Sequence, residues 1–282
     1  MTEVFKMPTK DNFFRADDGA VLYYEDCGSG DPIIFIPGFM CSTKFFRKNV
    51  GELSKTHRVI TLDNRGHGYS SKTLDNVTIP QMAKDVKTLV DQLGLDNITL
   101  VPWSLANSIG LSYLEQFGSY KVKRIALLDS AFFPVSEHPS NSHYVHHHNV
   151  EALLDQVVMM QKDYYAFCKG FAQGIFKNPP PPEDEEWVVH ELLKCPVYIA
   201  IATLTDFVFH DYMSFLPKIN IPVMIAGVNG PVLPRGIEGA KAYVELLKVK
   251  YKLWEVEEVG HTMFYEDPER FHKELLDFIE NY

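Results

Sequence analysis

Cysteine is sparse and isolated. Four residues, Cys27, Cys41, Cys168 and Cys195, stand singly in 282, with no CxxC pair. That spacing offers neither a disulfide framework nor a zinc knuckle, and it reads as reduced, mostly buried thiols. Basic charge is also short: 27 Lys and Arg face 37 Asp and Glu, for a net charge of -10. With no basic stripe, nucleic acid is not expected as a partner, because phosphate binding needs clustered Lys and Arg. No apolar run is long enough to cross a bilayer, so no membrane partner is expected. The opening residues MTEVFKMPTK are polar and hold no apolar signal-peptide core. A cytoplasmic location is the resulting expectation. Internal repeats and low-complexity tracts are absent.

What remains is an ordinary globular composition, 46% hydrophobic and 23% charged. The length suits one α/β domain with an insertion or two domains. FFRADDGAVLYYEDCG alternates around Asp18-Gly19, which is hairpin chemistry. Strands are then expected at 33–37, 58–63, 97–103 and 124–129, with helices over Thr43–Ser54, Ile79–Leu93 and from Ser104 to near Gly118. Continuous apolar strands between helices predict a mainly parallel sheet covered on both faces. The rhythm breaks over about 132–218, which shows helical patterns and the stretch NPPPPEDEE. It resumes with a strand at 221–227, a helix over Ile237–Leu247, a strand at 251–257 and a last helix from Pro268. The predicted division is a core of 1–131 and 219–282 with a helical cap at 132–218, over the strand ends where such sheets bind ligands.

The chemistry-bearing stretch is LVPWSLANSIG, residues 100–110. A strand that ends in serine and turns directly into a helix is a nucleophile elbow. The turn strains the serine backbone, projects its hydroxyl, and leaves the N–H of Leu105 free to donate to an oxyanion. Ala106 meets the need for a small neighbour, whereas Pro102 fixes φ and lacks an N–H. On its own residues Ser104 reads equally as nucleophile or as helix N-cap. In IPGFMCSTKFF, Gly38 allows a sharp turn and the N–H of Phe39 offers a second oxyanion donor. In DNRGHGYS (63–70), Asp63 and Arg65 are expected to order a tight loop by local hydrogen bonds. In EVGHTMFYEDPERF, His261 falls on a loop between a strand and the last helix.

Four motifs in register (PGF, DNRGHGYS, WSLA, GH), each after a predicted strand, resemble the α/β-hydrolase superfamily. The nearest look-alikes are small bacterial esterases and the non-haem chloroperoxidases or perhydrolases. The resemblance implies an α/β-hydrolase fold with Ser104 as nucleophile, His261 as general base and then acid, and Phe39 and Leu105 as oxyanion donors. Most of the superfamily places an aspartate in a pattern like G-x-x-D-x-x-x-P. Here GVNGPVLP puts Gly230 at that position. Asp129, at the end of RIALLD, is the expected replacement. Certain haloalkane dehalogenases and cofactor-free quinolone dioxygenases carry their acid at that strand end. Asn229 is the second candidate and Glu238 the third.

HYVHHHN (143–149) does not read as a metal site, because adjacent residues diverge on helix or strand. Trp103, Phe39, Met159 and Phe167 are expected to wall an apolar pocket. Asp211 is expected to anchor the chain's return from the cap. The overall expectation is a serine hydrolase of small hydrophobic carboxylic esters, with no metal or organic cofactor. Two alternatives stand beside it: a cofactor-independent dioxygenase or C–C bond hydrolase using the histidine–aspartate pair, and a non-catalytic ligand-binding protein. Oligomeric state is not legible.

Overall fold

The computed structural model describes residues 10–282 and gathers eight strands into one sheet. They are β1 (Lys10–Arg15), β2 (Val21–Gly28), β3 (Pro32–Ile36), β4 (Arg58–Leu62), β5 (Ile98–Pro102), β6 (Val122–Leu128), β7 (Val223–Val228) and β8 (Tyr251–Val256). Their spatial order is β1-β2-β4-β3-β5-β6-β7-β8. β2 pairs antiparallel with β1 and β4, and every other pairing is parallel. β3 and β5 are buried along their whole length, as strands covered on both faces must be.

The helices are α1 (Arg47–Leu53), α2 (Ile79–Gln92), α3 (Ala106–Phe117), α4 (Val150–Lys162), α5 (Tyr164–Gly174), α6 (Pro182–Leu192), α7 (Val197–Phe209), α8 (Gly236–Val244), α9 (Met263–Glu266) and α10 (Pro268–Asn281). The start of α2 shows why these segments are helical. The Thr78 hydroxyl accepts from the N–H of Gln81, and Pro80 sits in the first turn. Ile79, Met82, Ala83, Val86, Leu89 and Val90 then fall on one buried face. α4 to α7 lie between β6 and β7, and the described residues of 132–218 contain no strand. No single described helix is long and apolar enough to cross a membrane.

The expected helix over Thr43–Ser54 is instead a 3-10 turn, Thr43–Phe46, followed by α1. The Thr43 N–H is drawn to the buried Asp63 carboxylate at 2.6 Å, and Ser42 caps the N–H of Lys44. Those bonds set a tighter entry than an α-helix has. Asp63 also accepts from the N–H of Tyr69. Arg65 is fully buried between Asp85 (2.6 Å) and Asp18 (2.8 Å). DNRGHGYS thus serves as a scaffold beneath the strand ends. Asp211 accepts from the N–H of Ser214 at the turn that follows α7.

Pro102 is accommodated by its neighbours. Ladder bonds continue past it, from Trp103 N to Ile36 O (3.0 Å) and from Ser104 N to Leu128 O (2.8 Å). Its ring packs against Gly110 of α3, where an added Cβ would stand 2.9 Å from Pro102 Cγ and 3.0 Å from Ile125 Cδ1. Gly110→Ala is therefore expected to lower stability by about 1–3 kcal/mol in urea denaturation, through overpacking. Pro102→Ala in the same chain is expected to return part of that loss. An unchanged midpoint for Gly110→Ala would contradict the contact.

Three buried groups make stability depend on pH. Burial pushes His67 down to about 4 and His143 down to about 3. Each folded imidazole holds a proton less readily than the unfolded one. Their contribution is present above about 6.5 and drains as pH falls toward those values. Asp63 opposes them: burial raises it to about 6, so its contribution is lost as pH rises from about 4 to 6. Two histidines outweigh one aspartate, and stability is expected to fall by roughly 3 kcal/mol between pH 6.5 and 4. Denaturant melts at the two pH values check this, and a flat profile would contradict it.

Candidate active site

Ser104 follows the last residues of β5 and has φ of 59°, left-handed backbone that costs a non-glycine residue energy. The next residue, Leu105, is already helical and opens α3. The expected elbow is thus present in the backbone. Gly38, on the loop after β3, lies against it: a Cβ there would meet Ser104 Cβ at 2.8 Å and the Trp103 carbonyl at 3.1 Å. Glycine is what lets the two loops approach this closely. Phe39 and Leu105 each present a backbone N–H that bonds to no acceptor among the described residues. Unpaired N–H groups on buried residues are rare, because each forfeits a hydrogen bond. Leu105 follows Ser104 directly, and Phe39 follows the Gly38 that lies against it.

Asp129 follows the last residue of β6. The carbonyl of Leu128, one residue earlier, is the one that accepts from Ser104 N–H. Asp129 also has left-handed backbone, with φ of 39°. Its Oδ1 accepts from Val228 N–H at 3.0 Å, and its Oδ2 lies 2.6 Å from His261 Nδ1. Both side chains are buried, Asp129 at 3% exposure and His261 at 2%. A carboxylate only accepts, so Nδ1 is the donor in this bond. His261 Nε2 is buried and makes no hydrogen bond, to Ser104 or to any other group among the described residues.

The other acid candidates serve elsewhere. Asn229 caps α8 by accepting from Ile237 N–H, and Glu238 is exposed in the first turn of that helix. Gly230 faces open space, since an added Cβ would meet only Val228 Cγ1, at 3.9 Å.

Trp103 corrects the expected pocket wall. It is 1% exposed and turns into the core against Phe45 and Phe264. Its indole N–H donates to the His261 carbonyl at 2.9 Å, and the two rings lie 5.2 Å apart. The residue before the serine therefore carries the histidine loop. Met159 is exposed and lines a groove with Phe167, on the helices between β6 and β7; neither Ser104 nor His261 lines it.

Sequence reasoning missed Glu266. Its carboxylate accepts from the N–H of Gly260 (2.8 Å), the hydroxyl of Thr262 (2.9 Å) and the N–H of Lys177 (3.0 Å). Thr262 N–H also donates to the Ile175 carbonyl at 3.2 Å. The histidine loop is stapled on one side to β5 and on the other to the chain leaving α5. The i, i+4 spacing of Thr262 and Glu266 was the available signal. The residues of HYVHHHN mostly serve their own turn: His143 is buried, and His146 Nδ1 lies 2.6 Å from the His143 carbonyl.

The family model for the alpha/beta hydrolase fold matches residues 31–178. The chain belongs to the α/β-hydrolase superfamily of enzymes. It is 26% identical over 276 residues to the bifunctional esterase/perhydrolase DCH of Acinetobacter calcoaceticus, covering 95% of this chain and 99% of that one. It is 25% identical over 272 residues to the non-heme chloroperoxidase CPO-A1 of Kitasatospora aureofaciens, covering 93% and 97%. Among solved structures, the esterase EaEST from Exiguobacterium antarcticum matches with a TM-score of 0.88 at 25% identity, covering 96% of this chain and 100% of that one.

Proposed function

We propose that this enzyme hydrolyses small hydrophobic carboxylic esters through an acyl-enzyme on Ser104. The observation that carries the reading is the buried His261–Asp129 pair at 2.6 Å beside the strained Ser104 turn. Asp129 fixes the tautomer and stabilises the imidazolium that forms. In this scheme Ser104 Oγ attacks the ester carbonyl as His261 Nε2 takes its proton. The tetrahedral oxyanion rests on the N–H groups of Phe39 and Leu105, each such donor worth about 3 kcal/mol of barrier. His261 then protonates the departing alcohol. Water, deprotonated by the same imidazole, cleaves the acyl-enzyme and releases the acid. Relatives and a structural neighbour named as esterases support this reading.

Residues 132–218 act as a cap in this scheme, over a core of 1–131 and 219–282. Phe171 of α5 meets Phe39 edge-on at 5.8 Å, and the Thr262–Ile175 bond ties the segment after α5 to the histidine loop. The testing experiment is labelling with a fluorophosphonate. Rapid, stoichiometric modification of Ser104 is expected, and a chain that stays unmodified while folded overturns the reading.

A second reading has the His261–Asp129 pair deprotonate an aromatic substrate with the serine as bystander. The absence of a Ser104–His261 bond favours it. It predicts substantial turnover after Ser104→Ala.

A further inference from the structure

An open groove of about 240 Å³ runs along α5 and is walled by α4 and by the loop between β7 and α8. Met159, Phe167, Phe171, Pro231 and Val232 supply its apolar sides, and no charged side chain lines it. Gly170 of α5 also lines it and is exposed, and an added Cβ there would meet nothing within 4 Å. An aromatic series runs along α5 beside it. The rings of Tyr164 and Phe167 lie 6.5 Å apart and near parallel, and those of Phe167 and Phe171 6.4 Å apart. Phe171 then abuts Phe39, the residue after the Gly38 that lies against Ser104.

The wall contributed by Pro231 and Val232 belongs to the same loop as Gly230, where most of the superfamily places its acid. With the histidine held by Asp129, this loop makes no contact with His261 through a side-chain bond. Its residues are free to shape a surface instead.

We propose that this groove binds the apolar arm of the ester, so that the preferred substrates carry an unbranched neutral chain of medium length rather than an acetyl group. The inference rests on the ester-hydrolase reading for its chemistry, but the groove can be tested apart from it. An uncharged lining offers an ionic chain end nothing to pair with, and burial of methylenes against aromatic faces supplies the affinity. Phe171 lines the groove and touches Phe39, whose neighbour Gly38 lies against Ser104.

The experiment has two arms. In the first, kcat/KM is measured for p-nitrophenyl octanoate and acetate. The wild-type ratio is expected to exceed ten, and Gly170→Phe, which adds a ring at a residue lining the groove, is expected to lower it at least tenfold. Val232→Phe narrows the groove from the opposite wall and is expected to act in the same direction. A ratio near one in the wild type, or one unmoved by both changes in folded protein, overturns the proposal while leaving the hydrolase standing. In the second arm, binding of 2-decanone and 2-butanone to the Ser104→Ala protein is followed by ligand-observed NMR. At least tenfold tighter binding of the longer ketone is expected, and Gly170→Phe should erase the difference. Equal binding of the two ketones overturns the groove. Retained discrimination, in a wild-type chain that turns over no ester, keeps the groove and removes the hydrolase reading.

Discussion

Ser104→Ala is expected to reduce ester turnover by about 10⁵-fold or more, because nucleophile and base act as a unit and loss of either removes the covalent route. Steady-state rates with p-nitrophenyl butyrate, beside a melting curve showing an intact fold, make the measurement. The side chain is small and its backbone strain is retained by alanine, so the fold is expected to survive. Residual activity of a tenth or more would remove the acyl-enzyme mechanism. It would leave the buried His261–Asp129 pair as the reacting unit.

Asp129→Asn is expected to cost about 10⁴-fold in kcat with KM little changed. The amide can still occupy the space between Val228 N–H and His261 Nδ1. It lacks the charge that stabilises imidazolium, and its NH₂ favours the tautomer with the lone pair on Nδ1. That tautomer turns an N–H toward the serine and cannot accept its proton. Asn229→Ala supplies the contrast. Asn229 holds only the N-terminus of α8, so the expected effect is a loss of about 1 kcal/mol of stability with turnover kept. Equal activity losses for the two variants would remove Asp129 from the assigned role.

The sheet was legible because strands such as Ile33–Ile36 are uninterrupted apolar runs, and helices such as α2 and α10 carry caps and one apolar face. The pairing of Asp129 with His261 followed from topology. β6 lies beside β5, so its carboxyl end stands next to the elbow. What escaped the sequence was side-chain direction. Nothing in WSLA tells whether the indole of Trp103 faces a pocket or turns beneath the histidine loop, as it does. Nor does a glutamate at 266 announce three acceptor bonds to residues from two segments. The split of Thr43–Ser54 depended on Asp63, a carboxylate from the following strand that no local pattern contains.

The placement of Asp129 ahead of the long helical segment has a consequence for how the chain matures. Ser104 and Asp129 are both synthesised ahead of that segment, but the two groups that satisfy the carboxylate, Val228 N–H and His261, come after it. Until β7 and the residues through His261 arrive, a charge destined for a dry interior has no counterpart and must stay hydrated. Synthesis halted short of residue 261 therefore leaves Asp129 without its imidazole, and this edge of the sheet stays wet until the histidine loop is made.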